Sequence, residues 1–240
     1  MLEVNNLSKG FGGLMALRNV TFEMRTGEIL GVIGPNGAGK TTLFNVISGS
    51  MWPDTGDVRF CGKGIGRMPP HEVCKLGLVR TFQIVRPFAK LSVIKNIAVG
   101  ALNRTNRMAE ALALAEEISE RVGLGEKRDA PATSLTLADR KRLELARALA
   151  TTPSLLLLDE VMAGLTPTET DMIIDVIRSI RQSGTSILLI EHNLRAVMAL
   201  SERLIVLNFG EKISEGSPAE VSKDPLVIKA YLGEKGGLSA

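Results

Sequence analysis

The sequence predicts an α/β fold: a mixed, largely parallel sheet carrying helices, an antiparallel sheet beside it, and a helical stretch inserted between two of the parallel strands. Three observations predict this. The apolar runs Ile29–Ile33, Leu155–Leu158 and Ile187–Ile190 are short, β-branched or Leu-rich and bounded by polar residues, as strands buried on both faces of a parallel sheet are. The first sixty residues instead alternate β-type stretches with turns, which suits an antiparallel sheet. Between the first and second apolar runs, helical periodicity dominates.

In chain order, the expected strands are Leu2 to Leu7, Val20 to Met24 closed by Thr26-Gly27, Glu28 to Gly34, and Asp57 to Cys61 after the turn Asp54-Thr55-Gly56. A helix from Thr42 to Ser48 follows the third. Helical periodicity covers Arg107 to Val122 and Ala138 to Ala150. The clearest helix runs from Thr168 to Gln182, with Met172, Ile173, Val176, Ile177 and Ile180 on one face and Gly184 past its end. These elements divide the chain into residues 1–75, holding the antiparallel sheet and the first buried strand, a helical subdomain at 76–150, and the rest of the parallel core at 151–240, all within one domain.

Composition narrows the function. The 240 residues are 45% hydrophobic, which excludes disorder, and a net charge of +3 gives no reason to expect a nucleic-acid groove. The apolar runs are far shorter than the roughly 18 to 20 residues that cross a bilayer. The amino terminus lacks the layout of a secretory signal, so a cytosolic location is expected. Cys61 and Cys74 fit reducing conditions. With His71 they would form a metal set that lacks a fourth ligand, so a reduced surface loop is the simpler reading.

The chemistry is concentrated in Gly34-Pro35-Asn36-Gly37-Ala38-Gly39-Lys40-Thr41, which fits the pattern GxxxxGK[ST] between a buried-type strand and a helix. A β/γ-phosphate pair is a dense negative charge. Glycines let the backbone wrap it with inward N–H groups, the helix amino end adds positive potential, Lys40 adds a point charge and Thr41 a hydroxyl for Mg²⁺. Thr42 continues this first helical turn. Leu155-Leu156-Leu157-Leu158-Asp159-Glu160 then delivers two carboxylates at the carboxyl end of a buried strand, the edge where α/β sheets place ligands. Strand alternation points them in opposite directions, so Asp159 is assigned to the metal and Glu160 to the attacking water. A third strand ends at Glu191-His192, where an imidazole could hydrogen-bond the γ-phosphate.

With these motifs in place, the chain resembles the ATP-binding cassette (ABC) ATPases along nearly its whole length. The resemblance implies a P-loop NTPase core of RecA-like type and binding of ATP with Mg²⁺. Phe11 would stack on adenine. Gln83, in Arg80-Thr81-Phe82-Gln83, would be a metal and water ligand that senses the membrane partner, and His192 would be the switch histidine. Ala163-Gly164-Leu165-Thr166-Pro167 matches the loop that contacts the other subunit. The family works as a head-to-tail dimer, with a second ABC ATPase subunit, identical or different, that sandwiches two ATP molecules. Its partners are integral membrane permease subunits and, indirectly, a periplasmic or extracellular substrate-binding protein. That places the chain on the cytoplasmic face of the membrane.

The signature motif departs from the family. Where LSGGQ is usual, this chain has Leu135-Thr136-Leu137-Ala138-Asp139. Thr136 keeps a hydroxyl that could cap the helix and reach a γ-phosphate. If position 138 needs a positive φ, Ala138 costs on the order of 1 kcal/mol. Asp139 brings a negative charge toward a phosphate, worth roughly 2 kcal/mol of repulsion per charge pair at about 8 Å and an effective dielectric of 20. Arg140 is the expected neutraliser, and weaker ATP-driven dimerisation with slower turnover, neither abolished, the expected result.

Within the family, Gly12-Gly13-Leu14, Val79 to Gln83 with Arg86-Pro87-Phe88, Leu91 to Ile97 and Tyr231-Leu232-Gly233-Glu234 resemble the ATPases of branched-chain amino acid importers and their urea and amide relatives. None of these residues reads the cargo. Phe88 and Val85 are the expected docking residues for the membrane subunits, or else a core staple. A translation-linked member would carry two cassettes and a chromosome-maintenance member a long coiled coil, and neither feature is present. The other alternative is a catalytically weak nucleotide-binding partner in an asymmetric dimer, since importers of this kind are said to pair two different ATPase subunits.

Overall fold

A computed structural model describes residues 1–81 and 87–236. Its contacts divide the chain into two compact units, one of residues 1–73 with 186–240 and one of residues 74–185.

The first unit begins with the antiparallel strands β1 (Leu2–Phe11) and β2 (Leu14–Met24). They are joined by a tight turn in which Gly12 has a φ of +58. β3 (Ile29–Ile33) is buried at every position, as its unbroken apolar sequence requires. Then come α1 (Lys40–Ile47), β4 (Thr55–Phe60) and β5 (Lys63–Gly64), and the order β2-β1-β4-β5 makes a four-stranded antiparallel sheet. Leu2 and Val4 alternate with half-exposed residues on β1, as in a sheet with one covered face, and an irregularity at Asn6, with φ +48, breaks the period so that Leu7 and Ser8 are both buried. Helix α2 (Pro70–Lys75) carries the chain out of this unit.

In the second unit, β6 (Leu78–Arg80) lies parallel to β7 (Leu155–Asp159), with Arg80 opposite Leu157. Between them run α3 (Val93–Ala101), α4 (Met108–Arg121) and α5 (Leu137–Leu149). The fully buried Asn96 of α3 organises the loop before it. Its Oδ1 accepts from the Phe88 N–H at 2.8 Å, and its Nδ2 donates to the carbonyls of Phe88, Leu91 and Ser92 at 3.1, 3.2 and 3.0 Å. Helix α6 (Pro167–Gln182) starts with Thr166 and Glu169 in a reciprocal capping box and proline in its first turn. Its covered face is Ile173, Ile174, Ile177 and Ile180. Met172, expected on that face, is 48% exposed, because the helical period places Ile174 nearer the centre of the stripe.

The chain returns to the first unit with β8 (Ser186–Ile190), α7 (Leu194–Leu200), β9 (Arg203–Asn208), β10 (Glu211–Gly216), α8 (Pro218–Val221) and α9 (Pro225–Gly236). β3 pairs in parallel with β8 on one side and β9 on the other, and β10 adds an antiparallel edge. The run Leu204-Ile205-Val206-Leu207 and the turn Phe209-Gly210, both residues at positive φ, are a strand and hairpin signal that the sequence reading above passes over. Among the described residues, no helix is long and apolar enough to cross a membrane.

One polar knot ties this unit together. Arg203 on β9 donates from Nε to Glu28 Oε1 at 2.8 Å, from Nη2 to Glu28 Oε2 at 3.1 Å and to the Glu23 carbonyl at 2.6 Å, and it also pairs with Glu215. Burial pushes the Glu28 carboxyl up, but the Arg203 hydrogen bonds, the Arg25 N–H and both arginine charges outweigh it and hold the pKa below its ordinary value. A lowered pKa contributes stability that is fully present above the unfolded value and is lost as pH falls through the folded one. Glu28→Gln should therefore lower stability by about 1–2 kcal/mol at neutral pH and reduce the loss of Tm on acidification from about pH 5 to 3. Thermal unfolding at several pH values checks this, and a variant with the parent's acid slope would count against it.

Candidate nucleotide site

The phosphate loop lies between β3 and α1, all within the first unit. Gly34, Gly37 and Gly39 take φ values of +151, +75 and +101, conformations closed to most side chains. Two of them are also pressed against backbone: a Cβ on Gly34 would stand 2.1 Å from the Leu207 carbonyl oxygen, and one on Gly39 2.4 Å from that of Ala16. The β9–β10 turn holds the loop from outside, with Gly210 N–H donating to Ala38 O at 3.1 Å and Arg18 N–H to Gly210 O at 2.8 Å. At Gly37 a Cβ would meet nothing within 4 Å, so the loop is open to solvent there.

The residues around this loop suit an anion. Gly39 is the N-cap of α1 and offers no side-chain cap, leaving the first N–H groups of the helix to an incoming acceptor. The buried Lys40 ammonium lies over the loop, donating to the carbonyls of Gly34 and Pro35 at 2.7 and 2.8 Å. Thr41 is exposed on the first turn, Thr42 half-buried behind it, and Asn36 exposed at the loop tip. Phe11 ends β1 with its ring 46% exposed and the Lys9 ammonium 5.9 Å from its centroid. Beside the loop, a cavity of ≈ 580 Å³ is bordered by Pro35, Asn36, Ala38, Phe209, Leu226 and Lys229. His192 stands exposed in the turn after β8.

In the second unit, Asp159 ends β7 and is buried, its Oδ2 2.6 Å from Nη2 of the equally buried Arg80. Its N–H donates to Thr81 Oγ1 at 3.3 Å. Glu160 follows with a φ of +51, a left-handed conformation that β-strand continuation would not give. The Glu160 carbonyl accepts from the buried Lys141 ammonium at 3.2 Å and from the Ala163 N–H at 3.2 Å. A strained backbone held by its surroundings at the second of two adjacent acids marks a position whose aim matters. Gln83 and Val85 lie outside the described residues. Phe88 is 44% exposed, its ring stacked under the Arg147 guanidinium at 4.8 Å.

The altered signature segment agrees with expectation at its N-cap and differs from it in two ways. Ala138 lies in the first turn of α5 and is absent from the positive-φ residues, so the expected conformational cost does not arise. Thr136 is the N-cap, its Oγ1 accepting from Asp139 N–H at 3.2 Å. Asp139 is buried, and its charge is met by residues other than the expected Arg140: its Oδ2 accepts from the Thr136 hydroxyl at 2.9 Å and from Lys127 at 2.6 Å. Arg142 lies 3.8 Å from its other oxygen, and Arg140 reaches the Thr133 carbonyl instead. Burial pushes the Asp139 carboxyl up, but the Lys127 and Thr136 hydrogen bonds and the Lys127 and Arg142 charges hold it below the ordinary carboxylate value. Arg142 stands three residues on from Asp139 along α5, a spacing legible in the sequence, whereas Lys127 is twelve residues away and only the fold brings it in.

Comparison with known families settles what these pieces belong to. The ABC transporter family profile matches residues 17–163, and that of branched-chain amino acid ATP-binding cassette transporters matches residues 211–236. The chain belongs to the ABC transporter family. This cassette is 41% identical to the high-affinity branched-chain amino acid transport ATP-binding protein LivG of Salmonella typhimurium, over 98% of each chain. It is 38% identical to the protein of the same description, BraF, of Pseudomonas aeruginosa, again over 98% of each. The solved structure of an ATP-binding cassette of an ABC transporter in its ADP conformation superposes with a TM-score of 0.87 at 32% identity, covering 97% of this chain and 98% of that one. The α/β fold with its parallel and antiparallel sheets is thus that of an ABC cassette.

The two classes of loop glycine in this cassette should part experimentally. Gly39→Ala drives a Cβ into the Ala16 carbonyl and should cost about 2–4 kcal/mol of stability. Gly37→Ala costs only about 1 kcal/mol of strain, yet puts a methyl group on the open face of the phosphate loop, and should weaken ATP binding at least tenfold, on the order of 1.4 kcal/mol. Thermal unfolding and ATP titration of both variants check this. Parallel losses in both measurements would remove the distinction.

Proposed function

We propose that this cassette is the ATP-binding and ATP-hydrolysing subunit of an importer and powers uptake of branched-chain amino acids through separate integral membrane permease subunits. The observation that carries the cargo is the likeness to LivG and BraF over 98% of each chain, with the matched segment 211–236 inside it. The phosphate loop carries the ATPase. The cassette works at the cytoplasmic face of the membrane with a second ABC ATPase subunit, and a substrate-binding protein delivers cargo on the far side.

The loop amides of residues 34–39 and the uncapped start of α1 bind the triphosphate, with Lys40 exchanging the Gly34 and Pro35 carbonyls for phosphate oxygens. Phe11 supplies the aromatic face for the base. Thr41, Gln83 and Asp159 would hold magnesium, whose charge compensates the β- and γ-phosphates. Glu160 orients the attacking water and accepts its proton, and His192 hydrogen-bonds the γ-phosphate.

One observation favours a second reading, in which this chain is the weaker half of an asymmetric pair. The Thr136 hydroxyl already donates to Asp139, so the signature segment offers a phosphate an oxygen whose proton is engaged, beside a paired carboxylate. A composite site using this segment would be the impaired one.

Two experiments test these readings. Lys40→Ala should lose MgATP binding by at least a hundredfold, while Glu160→Gln keeps binding and loses phosphate release by at least a hundredfold, roughly 2.7 kcal/mol in each case; a Lys40→Ala protein that holds MgATP as the parent does sinks the ATPase assignment. Asp139→Gln, which frees the Thr136 hydroxyl, should strengthen ATP-driven dimerisation of the Glu160→Gln protein several-fold. Unchanged or weaker association, measured by analytical ultracentrifugation, disposes of the asymmetric reading.

A further inference from the structure

Arg80 is the last residue of β6 and belongs to no role assigned above. Its neighbour strand β7 is already zipped to it by the parallel ladder Leu78 to Leu155, Val79 to Leu156 and Arg80 to Leu157. The Thr81 N–H adds a bond to Leu157 O at 2.9 Å. The strands therefore have no need of a side-chain ion pair to stay in register. Yet the guanidinium runs past this ladder to Asp159 at 2.6 Å, and the two side chains are only 8% and 5% exposed. A carboxylate buried to that degree is costly without a counter-charge, and arginine remains charged at any pH a protein survives.

Asp159 is also the carboxylate that the proposed function gives to magnesium. A divalent cation and a guanidinium satisfy the same carboxylate, and in so buried a place the charges of both add at short range, so each weakens the hold of the other. We propose that Arg80 is a positioning residue for the metal-dependent step: it serves as the counter-ion of Asp159 and yields the carboxylate when a divalent cation arrives. The inference rests on the reading of Asp159 as a magnesium-supporting group.

One consequence distinguishes this from a simple staple. Arg80 lowers the gain in ATP affinity that magnesium brings, because it keeps Asp159 compensated when no metal is present. A staple would affect stability with and without metal alike and would leave the magnesium gain where it was.

The test uses the full chain carrying Glu160→Gln, so that turnover does not consume the nucleotide. ATP affinity is measured by calorimetry in excess chelator and in saturating Mg²⁺, with and without Arg80→Gln. The ratio of the two affinities is expected to rise roughly tenfold in Arg80→Gln, and to stay within about twofold of the parent in Arg80→Lys, which keeps a cation in place. An unchanged or smaller ratio in Arg80→Gln overturns the inference. A parent ratio of one removes the magnesium reading itself, and the inference with it. Should Arg80→Gln fail to fold, the ¹⁵N resonance of Arg80 Nε, assigned by its loss in Arg80→Lys, decides the matter. It should shift when Mg²⁺ is added to the ATP complex, and a resonance that stays put overturns the proposal.

Discussion

The positive-φ glycine backbone of residues 34–39 is the feature on which the chemistry of this cassette depends. N–H groups can converge on one point only if successive residues leave the extended and helical regions, and here glycines at 34, 37 and 39 do so. Such a loop would relax if it were unsupported. The Leu207 and Ala16 carbonyls close off the space behind Gly34 and Gly39, and the Gly210 N–H fixes Ala38 from the β9–β10 turn. The loop therefore inherits its rigidity from β3, which is held between β8 and β9 and buried at every position. Strand burial, turn geometry and anion binding form one chain of cause.

Charge in the second unit is handled by pairing inside the protein. Asp159 has Arg80, and Asp139 has Lys127 with Arg142 at a longer distance. Each pair removes a cost of burial and at the same time decides what the carboxylate can offer a ligand. For Asp139 the result is a well-capped helix whose N-terminal hydroxyl is engaged, which turns an apparent defect in the signature motif into a folded and stable, but chemically altered, helix start. Glu160 differs from both. Its left-handed backbone, fixed through its carbonyl by Lys141, breaks the strand alternation so that its side chain need not follow the course that β7 would set.

Much of the fold was legible before any coordinates. β3, β7 and β8 announced themselves as short apolar runs, and α6 showed its apolar stripe and its end at Gly184, although Ile174 belongs on that stripe and Met172 does not. Other features were missed. The β9–β10 hairpin carries a four-residue apolar run as strong as the others, but its turn holds phenylalanine at positive φ, which no turn rule favours. Asn96 lies in the stretch Leu91 to Ile97 that carries part of the resemblance, but only the structure shows that it is buried and gathers three carbonyls and an N–H from the preceding loop.

The amino-acid order alone determined the phosphate loop, the acidic strand end and the family, because those depend on residue types at fixed short spacings along strand, turn and helix. Only the tertiary structure decided where the charges go. Arg80 and Lys127 find Asp159 and Asp139 across 79 and 12 positions of sequence, and Arg140, the near neighbour of Asp139, turns elsewhere. The reason is physical: a buried carboxylate takes whichever cation the packing brings within reach, and proximity along the chain does not measure that distance.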